Sequence, residues 1–198
     1  MAGTRKFNED ATLQAVMEVF WRNGYEGTSI DDIETATGVK RGSLYNAYGS
    51  KDDLFLLALD RYAHTIEAPL LASLDEDDIG SALLSCLDMQ LQNLESDAQP
   101  ASCFIANSLA EASCLEGRVG SALRERLQAS EDAVYQRLER ARSEGQLKPD
   151  ADLRALARYI IGIIRIVPLT ARAMPESAAA QDVAATALDA VLGQYLTD

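Results

Sequence analysis

SIDDIETATGVKRGSLYNAYGSKDDL, residues 29 to 54, is the stretch of sequence that decides the fold. It predicts three helix starts in close succession. Ser29 and Ser50 each stand three positions before an aspartate, as in a capping box, and a further short helix starts between them at Arg41. Gly38 and Gly49 are suited to end the first two helices. Two short helices joined by a tight turn, with a further helix behind them, form a helix-turn-helix.

The second short helix, residues 41 to 48, is predicted to enter the major groove of DNA. The turn of a helix-turn-helix projects the N-terminal residues of this helix outward. Arginine and lysine bind guanine edges or phosphates, and asparagine pairs with adenine. Residues at helix starts around it suit the sugar-phosphate backbone. The predicted base-side residues are Lys40, Arg41, Gly42, Ser43, Tyr45 and Asn46, and the predicted backbone contacts are Thr28, Tyr48 and Lys51. Taken singly, each basic residue is better explained as solvated surface, and only the set in register favours DNA.

The rest of the chain is predicted to be helical, because apolar residues recur every three or four positions and alternating strand patterns are missing. A first helix follows Asn8 and ends at Gly24, and the helix that Ser50 starts reaches its limit at Pro69. Longer helices are expected at 79–96, 101–114, 117–144, 151–174 and 178–196. The expected fold is all-α, with about nine helices. A three-helix DNA-binding domain would occupy 1–50, and a larger regulatory and dimerisation domain would occupy 51–198.

Composition and charge limit the classes of protein that fit. The 198 residues are 47% hydrophobic and 25% charged, as in ordinary globular chains. The formal net charge is −13, and residues 1–51 hold six basic and seven acidic side chains, whereas 52–198 hold twelve and twenty-four. This acidity argues against unspecific binding of polyanions by the whole molecule. It leaves room for a local nucleic-acid surface near the N-terminus.

The cysteines and apolar runs predict a cytoplasmic chain that does not enter a membrane. Three cysteines are an odd number without the paired spacing of a zinc site or a disulfide framework. The N-terminus lacks the apolar run of a secretory signal. The longest apolar run, 159–169, contains Arg165 and Pro168 and is far shorter than the roughly 20 residues that span a bilayer.

Several matched motifs carry a family resemblance over residues 7–55. They are Phe20, Gly24-Tyr25, Thr28-Ser29-Ile30, Ile33, Gly38-Val39, Gly42-Ser43-Leu44-Tyr45 and Ser50-Lys51-Asp52-Asp53-Leu54. Together they resemble the TetR family of bacterial transcriptional regulators. The resemblance implies an all-helical homodimer whose last two helices form the dimer interface. It also implies a repressor that a small-molecule inducer releases from palindromic operator DNA.

Two departures from the family pattern affect the recognition helix. Lys40 stands where a serine or threonine often caps this helix, so we expect the cap to come from the backbone or from water. Ala47 and Tyr48 replace a frequent histidine-phenylalanine pair, so a phosphate contact from that histidine is absent.

The last two helices are the predicted dimer interface. The helix at 151–174 is apolar on most of its circumference, and the final helix carries small residues at heptad-like spacing. Two helices from each subunit would then form a four-helix interface. The predicted interface residues are Ile160, Ile164, Val167, Leu188, Val191 and Tyr195. A wholly intramolecular core is the alternative, and Arg165 is expected at the edge of this stripe, at the interface or on the surface.

Cys103 is the predicted sensor residue. It is expected in the first turn of a helix, where free amides and the helix dipole stabilise a thiolate. Residues 102–107 with Glu111 resemble the N-ethylmaleimide-responsive branch of the TetR family, which implies a sensor of electrophiles. Cys114 would lie roughly 16 Å away along the same helix, too far for a disulfide. Two alternatives stay open: Cys103 is only a buried apolar residue, or an inducer binds non-covalently near Phe104, Leu87 and Tyr159.

Other classes of protein find little support in the sequence. His64 is the only histidine and has no partner at the spacing of a metal site or a catalytic triad, and no phosphate-binding glycine loop is present. We therefore expect no catalytic residue, metal or cofactor. A small enzyme or a helical protein-interaction module would leave the basic segment at Lys40 and Arg41 unexplained.

Overall fold

The computed structural model describes residues 7–95, 100, 102–112, 117–175 and 177–197. These residues form helices joined by turns, and no strand occurs among them. None of the helices is both long enough and apolar enough to cross a membrane. The α-helices are α1 Glu9–Asn23, α2 Ile30–Thr37, α3 Arg41–Tyr48, α4 Lys51–Tyr62, α5 Ala68–Ala72, α6 Ile79–Glu95, α7 Phe104–Ala112, α8 Arg118–Ser143, α9 Leu153–Ala173 and α10 Ala179–Tyr195. With α4 and α5 counted as one interrupted helix, the described residues form nine, which confirms the predicted all-α fold.

The helix starts follow the local signals in the sequence. The side chain of Asn8 accepts a hydrogen bond from the backbone of α1. Ser29 and Ser50 each form a complete capping box with the aspartate three positions on. Gly38 ends α2 with a φ of +67°, a left-handed conformation that disfavours a residue with a Cβ.

The helix that starts at Lys51 is interrupted before the predicted limit at Pro69. A single π-helical turn, Ala63–Glu67, separates α4 from α5. Such turns insert one extra residue into a helix and are frequent at functional sites. Pro69 then lies in the first turn of α5, where the loss of its N–H costs little.

The first compact unit contains the described residues up to Thr65 together with those from Phe104 to Arg124. Its core is aromatic. The ring of Phe55 lies 5.1 Å from that of Phe20 and 5.4 Å from that of Phe104, and Tyr62 lies 5.3 Å from Phe104. Trp21 packs edge-on against Tyr62 at 4.9 Å. These rings pack α1, α4 and α7 together.

The second compact unit contains the described residues from Ile66 to Cys103 and from Glu125 onward. Its core is aliphatic and comes from α6, α8, α9 and α10, as in the fully buried side chains of Ile79, Leu138 and Leu156. This grouping differs from the division at 1–50 and 51–198, because α4 and the segment from Phe104 pack with the N-terminal helices.

Candidate nucleic-acid interface and sensor site

The outer face of α3 is polar and exposed, whereas its inner face is buried. Leu44 is fully buried against α2, where Ile33 is also fully buried. Lys40 precedes the helix and is exposed. The exposed residues of α3 include Arg41, Gly42, Ser43, Tyr45 and Asn46. Their exposure agrees with the predicted base-side set.

The cap of α3 comes from a side chain that the sequence analysis did not identify. Glu34, in α2, accepts a 2.8 Å hydrogen bond from the backbone N–H of Arg41 and a 2.7 Å hydrogen bond from Nζ of Lys40. These bonds, the Lys40 bond first, lower the pKa of the Glu34 carboxyl. The expectation of a cap from the backbone or from water was therefore wrong.

The two basic side chains at the start of α3 are themselves exposed, and each pairs with a carboxylate of α2. Lys40 pairs with Glu34, and its side chain is 84% exposed. The Nη1 of Arg41 lies 3.8 Å from Oδ1 of Asp31, and the guanidinium lies over the ring of Tyr45 at 5.6 Å. Exposed pairs of this kind contribute little free energy, so a phosphate or a guanine edge can replace the carboxylates.

The three residues predicted to contact the DNA backbone occupy different environments. Thr28 is 1% exposed, and its hydroxyl donates a 2.6 Å hydrogen bond to the carbonyl of Gly24, so this side chain is internal and not a free donor. Tyr48 is half-buried. Lys51 is also half-buried and places Nζ 4.4 Å from the ring centroid of Tyr25.

The ring beneath Lys51 is held by the first turn of α4. The hydroxyl of Tyr25 donates to Asp52. Burial and this carboxylate raise the pKa of Tyr25. The Tyr25 ring therefore holds the ammonium group of Lys51 near the start of α4. This is the position from which Lys51 was predicted to contact the DNA backbone.

Helix α7 contacts the turn that leads into the helix-turn-helix. Glu111 accepts a 2.8 Å hydrogen bond from the backbone N–H of Glu26, and the amide of Asn107 donates a 3.4 Å bond to the carbonyl of Trp21. Gly24 has a φ of +75°, and a Cβ there would lie 1.8 Å from the Glu111 carboxylate. The left-handed backbone conformation at position 24 therefore favours glycine, and a larger residue there would also displace the Glu111 carboxylate.

Cys103 directly precedes α7, one residue earlier than the first turn in which it was predicted. It is 6% exposed. Its sulfur lies 3.5 Å from Nη1 of Arg165, a residue of α9. The side chain of Arg165 is 12% exposed and pairs with Glu67, so it is mostly covered by its own chain and is not a free surface residue. Cys114 and its predicted separation from Cys103 lie outside the described residues.

Two of the three residues predicted for a non-covalent inducer pocket line the same cavity, and the third does not. Leu87 and Tyr159 line one apolar cavity of the second unit, together with residues of α10 such as Leu188. Phe104 instead belongs to the aromatic core of the first unit. The cavity measures about 20 Å³, far below the roughly 300 Å³ that small drug-sized ligands occupy. Cys86 lies in its wall, and burial raises the pKa of this thiol to about 11.

Comparison with known proteins agrees with this geometry. Residues 13–58 match the model for bacterial regulatory proteins of the tetR family, and residues 81–187 match the tetracyclin repressor-like C-terminal domain. The chain is 33% identical to the HTH-type transcriptional repressor ComR of Escherichia coli K12, over 84% of this chain and 80% of ComR. The chain belongs to the TetR family. It is a DNA-binding transcriptional regulator and not an enzyme.

Two further relatives extend the match. The uncharacterised HTH-type transcriptional regulator YezE of Bacillus subtilis 168 is 32% identical over 81% of this chain and 84% of its own length. A cysteine-substituted form of the TetR family regulator CifR, solved with 26-base-pair double-strand operator DNA, is 27% identical. It superimposes with a TM-score of 0.84 over 94% of this chain and 98% of that one. The TetR fold therefore extends over nearly the whole chain.

Most of the residues predicted for the TetR-type dimer interface are covered by their own chain. Ile160, Ile164, Val167 and Val191 are 7% exposed or less and lie in the core of the second unit. Leu188 and Tyr195 are partly buried and pack against it. The first four side chains consequently have little surface left for a partner.

A second apolar stripe on α9 remains exposed. Tyr159, Ile166 and Leu169 are 43%, 40% and 47% exposed, and Gly162 has open space beside it. These positions recur every three or four residues, so they share one face of the helix. Periodicity alone could not separate this face from the buried one, because α9 is apolar on most of its circumference, outside the face that carries its four arginines.

Proposed function

We propose that this TetR family member is a homodimeric repressor that acts in the cytoplasm on palindromic operator DNA. The observation that carries the proposal is the exposed polar face of α3, held in place by the Glu34 cap. A recognition helix of eight residues reads only a few base pairs. Useful specificity therefore needs two copies of α3 on successive half-sites of the major groove.

The relatives support repression as the direction of control. ComR is named a transcriptional repressor, and the CifR form was solved on operator DNA. The base-side candidates are Lys40, Arg41, Gly42, Ser43, Tyr45 and Asn46, and Tyr48 and Lys51 suit the phosphates. Thr28 drops from this set, because its hydroxyl is used inside the fold.

The exposed stripe of α9 supports the dimer. The side chains of Tyr159, Ile166 and Leu169 are large and apolar, and pairing them with the same stripe of a second copy removes them from water. Open space beside Gly162 permits close approach of the second helix. In this proposal the exposed stripe of α9 forms the dimer interface, in place of most of the interface residues predicted from the sequence.

Cys103 is the proposed trigger for release by an electrophile. Its neighbour along the chain is Phe104, the first residue of α7, and α7 contacts the turn that enters the helix-turn-helix. Modification of the thiol adds bulk where α7 begins. A coupling free energy of about 1–3 kcal/mol between this site and α3 would change operator affinity about 5- to 150-fold.

A non-covalent inducer is the second candidate, supported by the apolar lining that Leu87 and Tyr159 share. Since that cavity now measures about 20 Å³, a ligand would have to open it. An inducer that releases the Cys103→Ser variant from DNA would favour this candidate.

The deciding experiment is a mobility-shift titration with the DNA upstream of the protein's own operon. We expect a saturable complex of two chains per site and weaker binding by Arg41→Ala and Asn46→Ala. DNase footprinting should show two protected half-sites related by a two-fold axis. Equal affinity for the upstream DNA and for scrambled DNA of the same length would refute sequence-specific repression.

A further inference from the structure

The positive charges at the start of the recognition helix α3 are balanced by two acidic residues of α2. Lys40 and Arg41 are the two cations of the predicted base-side set. Lys40 donates a 2.7 Å hydrogen bond from Nζ to Glu34, and Nη1 of Arg41 lies 3.8 Å from Oδ1 of Asp31. Each cation of the set therefore has a carboxylate beside it before DNA binds.

The two carboxylates are held in different ways. Glu34 also accepts a 2.8 Å hydrogen bond from the backbone N–H of Arg41, and its side chain is 28% exposed. The bonds from Lys40 and from this amide lower the pKa of the Glu34 carboxyl, so it is ionised at neutral pH. The side chain of Asp31 is 82% exposed, and its 3.8 Å approach to Arg41 is longer than a hydrogen bond. Asp31 can therefore turn into solvent when DNA approaches, whereas Glu34 stays at the start of α3.

The fixed charge of Glu34 acts differently on the phosphates and on the bases of DNA. Even when a phosphate replaces Glu34 as the partner of Lys40, the carboxylate remains beside it, because the Arg41 N–H holds it. The two negative charges then repel each other. The acceptors of a guanine edge belong to a neutral base, so this repulsion is missing there. An ammonium group has three donors, and Lys40 can bind such an edge while it keeps its bond to Glu34.

We propose that Glu34 is a specificity-determining residue that lowers the affinity of the chain for DNA of unrelated sequence. Binding to unrelated sequence depends almost entirely on phosphate contacts, and each contact makes the affinity fall more steeply with salt. The carboxylate of Glu34 offsets one such contact in each chain, that of Lys40, and costs the base contacts little. The gain in specificity rests on the proposed recognition of an operator, whereas the effect on unrelated DNA does not.

Glu34→Gln tests this charge, because its amide oxygen can still accept the Arg41 N–H. The full-length protein would be titrated with its upstream DNA and with scrambled DNA of the same length at several salt concentrations. On scrambled DNA we expect Glu34→Gln to bind roughly three- to tenfold more tightly per chain at about 0.1 M salt. The logarithm of the binding constant should also fall more steeply with the logarithm of the salt concentration, by about 0.9 per chain. Upstream DNA should gain less, so the ratio of the two affinities should decrease.

The outcomes separate this proposal from the proposed operator recognition. Unchanged binding of Glu34→Gln to scrambled DNA would overturn the role of Glu34. An equal gain on both DNAs, in a chain that prefers its upstream DNA, would also overturn it. If the original chain binds both DNAs equally, the proposed operator is wrong, and the scrambled DNA still tests whether the Glu34 charge opposes phosphate binding.

Two further variants separate this carboxylate from the net charge of the chain. Asp31→Asn removes the same charge from an exposed side chain of α2, so it should change binding to scrambled DNA much less. Glu34→Gln combined with Lys40→Gln removes the ammonium group that the single variant frees, so the affinity for scrambled DNA should return towards the original value. An equal gain in Asp31→Asn, or a gain that survives in the double variant, would contradict the proposal. Thermal unfolding sets the titration temperature below the melting point of the least stable variant, so folded proteins are compared.

Discussion

The carboxylate of Glu34 caps the recognition helix by accepting a 2.8 Å hydrogen bond from the backbone N–H of Arg41. The two residues are seven positions apart, with the turn between α2 and α3 separating them. One side chain of α2 thus satisfies a free amide of α3 and also binds Lys40, the residue at the N-cap position. The angle between the two helices is consequently supported by a hydrogen bond as well as by the burial of Leu44 and Ile33.

Replacing Glu34 should loosen α3. In Glu34→Ala the Arg41 N–H loses its acceptor, so we expect a lower melting temperature and faster exchange of the α3 amides. Glu34→Gln is the matched control, because its amide oxygen can still accept the bond. The two variants would be compared by thermal unfolding and hydrogen exchange. An equal loss of stability in both variants would show that the charge of Glu34, and not its acceptor, stabilises the helix, and no loss in either would contradict the prediction.

Arg41 and Lys51 should contribute to operator binding in different ways. Arg41→Ala removes a side chain at the start of the recognition helix, and we expect a loss of about 1–3 kcal/mol on the operator together with weaker discrimination between bases. Lys51→Ala should weaken all sequences about equally, because its ammonium lies beside the Tyr25 ring at the start of α4. Titrations at one salt concentration, on operator and scrambled DNA, distinguish the two. If both variants lost equal affinity for the operator and for scrambled DNA, Arg41 would not have a base-reading role.

The capping box of α4 should make the folding stability fall at acidic pH. Hydrogen bonds from the Ser50 hydroxyl and backbone, followed by the pairing with Arg118, lower the pKa of Asp53 from 3.8 to about 2. Because the folded-state pKa is the lower one, this stabilisation is complete above about pH 4 and disappears as the pH falls through 2. The melting temperature of Asp53→Asn should therefore change less between pH 5 and pH 2 than that of the original chain. Asp88→Asn, an exposed aspartate of α6, controls for the loss of one carboxyl, and equal pH dependence of the two variants would contradict the prediction.

Two substitutions separate dimerisation from folding. Leu169→Asp places a charge on the exposed stripe of α9, so we expect a folded monomer with greatly weakened operator binding. Val191 is 3% exposed, and Val191→Asp should instead destabilise the fold by roughly 3–5 kcal/mol. Leu57→Asp, at an exposed leucine of α4, is the control for surface charge. Sedimentation and circular dichroism give the two readouts, and an intact dimer in Leu169→Asp would place the interface elsewhere.

Cys103 should be necessary for the response to electrophiles. Cys103→Ser should bind operator DNA normally and stay bound when small electrophiles or peroxide are added, whereas Cys86→Ser and Cys114→Ser should still be released. Mobility shifts at graded doses measure this response, with an expected change in affinity of about 5- to 150-fold for the responsive proteins. Release of Cys103→Ser at the same doses as the original chain would show that the trigger lies elsewhere.

The sequence by itself determined the elements that depend on neighbouring residues. Ser29 and Ser50 start helices because each bonds an amide only three positions away, and Gly38 ends one because its own backbone adopts a left-handed φ. These are interactions within a single turn of chain, so a linear pattern contains them. The matched motifs around α2 and α3 identified the family for the same reason.

Only the tertiary structure decided which residues meet across the fold. Glu34 caps α3 because the turn between α2 and α3 brings its carboxylate to the backbone N–H of Arg41. Arg165 contacts Cys103, which lies 62 positions earlier in the sequence. The sequence also could not show which apolar face of α9 is buried. A helix that is apolar on most of its circumference satisfies the helical period on more than one face. Only packing against α6 and α10 assigned Ile160 and Ile164 to the core and left Tyr159 and Leu169 exposed.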